Sequence, residues 1–170
     1  MRRTVAIFGT LLIAAIFIIT GSAVAQTWHW IDHYEPLFTV NCSYPWKAED
    51  APDNDYASLG EHIPPADPVL GWALLDLDSG NEMGPSQDFT VFAVTPVNES
   101  YAVWVSVTTN LQYKIYVGSG WDTENLTFQT PSQPVNAQWR YILLVGTSGV
   151  ADAAGGDHAY GADIDAVGWH

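Results

Sequence analysis

After residue 26 the chain carries no helical periodicity of useful length. Apolar positions come in short alternating or β-branched runs, set apart by Gly, Pro, Asn and Asp. Tyr101-Ala102-Val103-Trp104-Val105-Ser106-Val107 is the clearest run. Its odd positions put apolar side chains on one face and Trp104 on the other. In the second half, Asp88 to Val94, Ser100 to Thr108, Gln112 to Val117, Leu126 to Gln129, Trp139 to Val145 and Asp163 to Trp169 read as strands. In the first half, Trp28 to Tyr34 alternates aromatic and polar residues, Pro36 to Val40 is a short apolar run, and Val69 to Leu77 reads as a strand. Lys47 to Asp67 is acidic and Pro-rich and reads as a long loop, and Ser79 to Ser86 as a turn. About eight or nine short strands at this spacing predict an all-β fold, an antiparallel β-sandwich. With no internal repeat and no linker, residues 36–170 form one domain behind an N-terminal strand at 26–35.

The first 25 residues follow another pattern. Arg2 and Arg3 precede a largely apolar stretch from Val5 to Thr20, and Ala23-Val24-Ala25 is a small-x-small site before Gln26. This is the pattern of a secretory signal peptide, residues 1–25, cleaved after Ala25. The competing reading is an uncleaved anchor, because the apolar stretch is near the lower limit for a membrane span. With cleavage the protein is secreted, extracellular or at the cell surface, and has no membrane partner.

Composition narrows the partners. The chain of 170 residues has 19 acids against 5 Lys plus Arg, a formal charge of −14, yet is 48% hydrophobic with 8 Trp. A disordered acidic chain lacks such aromatics, and nucleic acid needs a basic face that these residues cannot build. Losing Arg2 and Arg3 with the signal leaves Lys47, Lys114 and Arg140 against all the acids, a formal charge of −16. Cys42, the only cysteine, allows no intramolecular disulfide, so stability rests on the core, on ions or on assembly. Asn41-Cys42-Ser43, Asn98-Glu99-Ser100 and Asn125-Leu126-Thr127 are sequons, making Asn41, Asn98 and Asn125 possible glycan acceptors.

The acids cluster: Glu49, Asp50, Asp53 and Asp55; Asp76 and Asp78; Asp152 and Asp157; Asp163 and Asp165. Calcium takes six to eight oxygen ligands in irregular geometry, which makes Asp53, Asp55, Asp76, Asp78, Asp163 and Asp165 candidate ligands. Asp163 and Asp165, two apart on a strand, share a face, and carboxylates so placed repel unless a proton or cation sits between them. The alternative is a solvated acidic surface that keeps the protein soluble. His29 and His33 are four apart, a spacing that gathers zinc ligands on a helix rather than on a strand. No His-Glu-x-x-His, phosphate loop or Gly-x-Ser-x-Gly occurs, and no enzyme activity is expected.

Trp72, Trp104 and Trp139 lie in apolar strands and read as core, whereas Trp46 and Trp121 lie in loops and are candidates for stacking on sugar rings. Trp28, Trp30 and Tyr34 fall on one face of the N-terminal strand, which carries no Lys, Arg or Pro before Pro36. Such a strand either closes its own sandwich or is donated to a neighbouring copy.

The order of Tyr101 to Val107, Trp139-Arg140-Tyr141-Ile142-Leu143-Leu144-Val145 and the closing Ala162-Asp163-Ile164-Asp165-Ala166-Val167 resembles the jelly-roll sandwich of carbohydrate-binding modules over residues 85–170. There an acid of the last strand often ligates structural calcium, which the resemblance places at Asp165, with Glu35 as a possible partner ligand. A secreted stand-alone jelly roll with an acidic mature chain and an aromatic N-terminal strand is also similar to the subunits of archaeal cannulae, extracellular tubes. That resemblance implies calcium at subunit contacts and a donated N-terminal strand. The expectation is a self-assembling structural subunit, a homopolymer of copies of itself; the alternative is a soluble carbohydrate-binding module with a polysaccharide partner.

Overall fold

Alternating side chains sort themselves between two antiparallel sheets in the computed structural model, which describes residues 27–31, 33–61, 69–93, 98–148 and 161–170. The strands are β1 (His29–Trp30), β2 (His33–Tyr34), β3 (Ala57–Ser58), β4 (Gly60–Glu61), β5 (Val69–Leu70) and β6 (Trp72–Asp76), followed by β7 (Asp88–Ala93), β8 (Ser100–Ser106), β9 (Ile115–Trp121), β10 (Leu126–Gln129), β11 (Tyr141–Gly146) and β12 (Asp163–Trp169). The first sheet runs β1-β12-β7-β10, with β3 also paired to β12; the second runs β2-β6-β11-β8-β9; β4 and β5 pair separately. The signal segment, Gln26, Asp152 and Asp157 lie outside the described residues. Among the described residues no helix is long and apolar enough to cross a membrane.

The core lies between the sheets. Tyr101, Val103 and Val105 of β8 point into it, as their alternation predicts, together with Ile142 and Leu144 of β11, while Phe89 and Val91 of β7 and Ile164, Val167 and Trp169 of β12 face them. Each such side chain contributes about 1.5–3 kcal/mol by leaving water. Trp139 is part of this core, with 2% of its surface exposed.

Three expectations shift. The strand read over Val69 to Leu77 breaks at Gly71, where a Cβ would run into the carbonyl of Asn41. The loop read over Lys47 to Asp67 contains the end of a 3-10 helix, Pro45–Ala48, together with β3 and β4, and Ala57 to Gly60 is buried. Trp28 to Tyr34 is not one strand. Its first part joins β12 of one sheet (His29 opposite Trp169, Trp30 opposite Gly168) and its second joins β6 of the other (His33 opposite Asp76, Tyr34 opposite Leu75). Ile31, between them, is fully buried in the core and donates its N–H to the Val167 carbonyl at 3.1 Å.

The second sheet departs from the usual antiparallel arrangement of one dry and one wet face. Its outer face is apolar too. Leu74, Tyr141 and Leu143 are buried there, with Trp72, Trp104, Leu111 and Val145 packed around them. Phe38 to Val40 folds over one edge of this face: Trp72 Nε1 donates to the Phe38 carbonyl at 2.9 Å, and the Leu74 N–H to Thr39 Oγ1 at 3.2 Å. Trp72 and Trp104 are therefore half-buried on the outside rather than in the core between the sheets.

Candidate functional site

The candidate calcium ligands separate into three groups. At the end of β6, the buried Asp76 accepts a two-pronged bond from Arg140, at 2.6 Å from Nε and 2.8 Å from Nη2. It also accepts the Asp78 N–H at 2.9 Å. Burial raises the proton affinity of Asp76, but the Arg140 hydrogen bonds, the Asp78 N–H and the guanidinium charge together hold it below the usual carboxylate range. Glu35 also hydrogen-bonds this carboxyl. A protein cation already answers the charge of Asp76.

The second group does converge. Asp165, 4% exposed, accepts the backbone N–H of Asp53 at 3.1 Å and that of Asn54 at 3.3 Å. Asp53 accepts the N–H of Asp55, and Asp55 pairs with Lys47 at 2.6 Å. The loop thus folds its amides onto the last strand. Burial raises Asp165 above its ordinary value, with smaller pushes from the charges of Asp53 and Asp55, against the two N–H bonds.

The third group was not legible from spacing. Asp163 accepts from the Ser58 hydroxyl, and its N–H donates to Asp122 Oδ2 at 3.4 Å. Asp122, fully buried, also accepts the Glu99 N–H at 3.0 Å, and Glu99 accepts the Gly161 N–H at 3.2 Å. These carboxylates tie the start of β8 and the end of β9 in one sheet to the start of β12 in the other. Glu99 and Asp122 stand next to apolar strands like any strand-flanking acid, and nothing in the sequence pairs them. Asp163 and Asp165 engage different partners, and the register of β12 on β7 shifts between Ile164 and Ala166, a bulge at Asp165. Among the described residues no three His, Cys, Asp or Glu side chains form a group that could hold a metal ion. The donor set therefore does not amount to a ready-made calcium cage within the described chain.

The N-terminal aromatics form their own cluster. Trp28 and Trp30 stack at 5.3 Å between centroids, and both pack against Phe92 of β7. Trp30 lies on Gly168, where a Cβ would come within 2.6 Å of the indole. Tyr34, expected on the same face, sits on the other sheet. His29 stacks on Trp169 at 5.5 Å; His29 and His33 are exposed and belong to different sheets.

Of the two candidate stacking residues, Trp46 is 52% exposed, edge-on to Tyr44 at 5.6 Å, and Trp121, at the end of β9 rather than in a loop, is 46% exposed. Asn98 and Asn125 are exposed and Asn41 is half-buried; the Asn125 side chain accepts the Ala93 N–H at 3.0 Å.

The outer face of the second sheet adds a feature that the sequence reading missed. Leu143 is opposite both Leu74 and Trp104, and Trp104 opposite Tyr116, with the two rings edge-on at 5.4 Å. Beside this row is a cavity of about 310 Å³ lined by Trp72, Trp104, Leu111, Lys114, Leu143 and Val145. A second hollow of about 480 Å³, lined by Phe38, Thr109, Asn110, Leu111 and Gln112, adjoins it through Leu111. Compared with protein-family models, with curated proteins and with solved structures, the chain matches none.

Proposed function

We propose that the protein is a secreted, non-catalytic structural subunit of jelly-roll connectivity that joins copies of itself into extracellular filaments or tubes. Each copy places its N-terminal segment in the slot of the next. The observation that carries this reading is the slot. Two-residue ladders on two different sheets, a buried Ile31 and a Trp30 seated on Gly168 hold residues 28–31, 33 and 34. A segment held this way makes the same contacts with a neighbour's slot as with its own, so exchange requires that it leave its own slot for the neighbour's. Handing the segment on is a head-to-tail contact, which grows into a fibre unless it closes a ring. Calcium enters as a bridge between the acidic surfaces of neighbouring copies, with the exposed Asp53–Asp55 loop as one contributor, and not as an ion in a closed cage.

The mature protein, incubated with and without millimolar calcium and followed by light scattering and electron microscopy, tests this. Expected are polymers that need calcium, vanish on deletion of Gln26 to Asp32, and stop growing when excess peptide of residues 27–34 fills the slots. A monomer under both conditions overturns the proposal.

The exposure of Trp46 and Trp121 favours a second reading, a soluble carbohydrate-binding module, because half-exposed indoles suit the C–H faces of sugar rings. A protein that stays monomeric and is retarded in gels containing a polysaccharide supports it.

A further inference from the structure

We propose that the outer face of the second sheet carries a binding trough for a uronic-acid residue of a polysaccharide, walled by Trp72 and Trp104 with Lys114 as the anion contact. This rests on the carbohydrate reading and moves its site away from Trp46 and Trp121.

The first support is the shape and make-up of the cavity. Trp72 and Trp104 stand on strands that flank β11, roughly 12 Å apart on the diagonal across two strand spacings and two residues of register. Between them Leu143 and Val145 of β11 form the floor. Trp72 is held by its bond to the Phe38 carbonyl and Trp104 by its contact with Tyr116, so neither indole has to be ordered when a ligand arrives. Asn110, Gln112 and Thr109 of the adjoining hollow supply amide and hydroxyl groups at its rim. An apolar bed with a few polar groups at one side matches a pyranose ring, which has a C–H face and a hydroxyl edge. A volume of about 310 Å³ falls in the range of small-ligand sites.

The second support is charge. Residues 100–121 contain no acid and one base, Lys114, in a chain that otherwise carries 19 acids. Lys47 is paired with Asp55 and Arg140 with Asp76, whereas Lys114 makes no ion pair among the described residues. Its ammonium donates to the Leu111 carbonyl at 3.1 Å, which leaves two of its three donors for a ligand. A carboxylate lying on this face meets a cation and no neighbouring acid of β8 or β9. Asp76, four residues along β6 from Trp72, alternates onto the same face, but Arg140 pairs with it and Glu35 hydrogen-bonds it; charge farther off is screened beyond about 10 Å in ordinary buffer.

The test uses the mature protein, titrated with oligogalacturonate and with a cello-oligosaccharide of equal length, by calorimetry and tryptophan fluorescence. The acidic oligomer is expected to bind about tenfold tighter than the neutral one, with an advantage that salt erodes. Lys114→Gln, an exposed change that leaves the fold intact, should bring the two ligands level. Trp104→Ala should weaken both, and Trp46→Ala and Trp121→Ala neither. Equal binding of the two oligomers, unmoved by Lys114→Gln, overturns the uronic-acid assignment and leaves the carbohydrate reading standing. Binding lost in Trp46→Ala or Trp121→Ala instead of Trp104→Ala overturns this site. No binding to either oligomer overturns both.

Discussion

Arg140 and Asp76 are separated by 64 positions, and neither advertises the other in the sequence. Spacing made Asp76 a partner of Asp78 and a candidate calcium ligand, whereas the fold gives it a guanidinium. The two residues are not equally dispensable. Asp76 is 2% exposed at its side chain and Arg140 31%. Arg140→Met strands a buried carboxylate and should cost about 3 kcal/mol, while Asp76→Asn leaves an arginine that water can still reach and should cost about 1–2 kcal/mol. Urea titrations of both variants check the order; a larger loss in Asp76→Asn would contradict it. The pH dependence has a definite sign. Because the folded protein holds Asp76 below its unfolded value, its contribution is complete above the ordinary carboxylate pKa and fades as pH falls through the depressed folded value. Asp76→Asn should therefore flatten the acid limb of a stability–pH curve. The tryptophans teach a related lesson. Alternation separates Trp104 from Val103 and Val105, but in a sheet that is apolar on both sides it does not say which face looks inward. Trp139 sits in the core between the sheets, whereas Trp72 and Trp104 pack on the outer face.

Among the elements, most long strands were legible and short ones were not; the strand read over Gln112 to Val117 starts in a 3-10 turn, Leu111–Tyr113, and β9 runs on to Trp121. β7, β8, β10, β11 and β12 lie where alternating or β-branched runs place them, within a few residues. β3 and β4, two residues each, are too short to show alternation and vanish into an acidic, Pro-rich stretch. The N-terminal strand shows the limit of a periodicity argument. Trp28 and Trp30 do share a face, but Ile31 turns the chain through the core onto the other sheet, and no local signal marks a strand that changes sheets. Its grip on the body rests on few positions, which makes it sensitive to single changes. Ile31→Ala should cost about 2–4 kcal/mol through the cavity it leaves. Gly168→Val sets a side chain against the Trp30 indole and should free the segment without disturbing the rest of the core. Limited proteolysis within residues 27–34, quick in Gly168→Val and slow in the parent, reads this out. Equal protection in the two would show that the indole has room to move.

For the molecule as a whole, the all-β sandwich followed from the strand pattern. The places where the acids meet did not follow. The sandwich gathers Glu99, Asp122 and Asp163 between its sheets and folds the Asp53–Asp55 loop onto Asp165, and both arrangements join distant parts of the chain. With 5 Lys plus Arg against 19 acids, self-repulsion opposes the folded state. Raising sodium chloride from about 0.05 to 0.5 M shortens the Debye length from roughly 14 to 4 Å and should raise the melting temperature by a few degrees. A flat or falling response in a melting scan would show that local pairs such as Arg140–Asp76 outweigh the general repulsion.

The slot for the N-terminal segment has a consequence in time. β1 is among the first parts of the described chain to be synthesised, and its partner β12 is the last strand made. β1 and β12 must therefore meet across nearly the whole described chain, a late and slow event in folding. Until β12 has formed, Trp28, Trp30 and Ile31 have no seat, and β12 completes its sheet with that seat empty. If segments exchange between copies as proposed, a nascent protein has an interval in which its own segment and a neighbour's compete for the same place. Local protein concentration during that interval, more than the final equilibrium, would set whether a chain closes on itself or on the next.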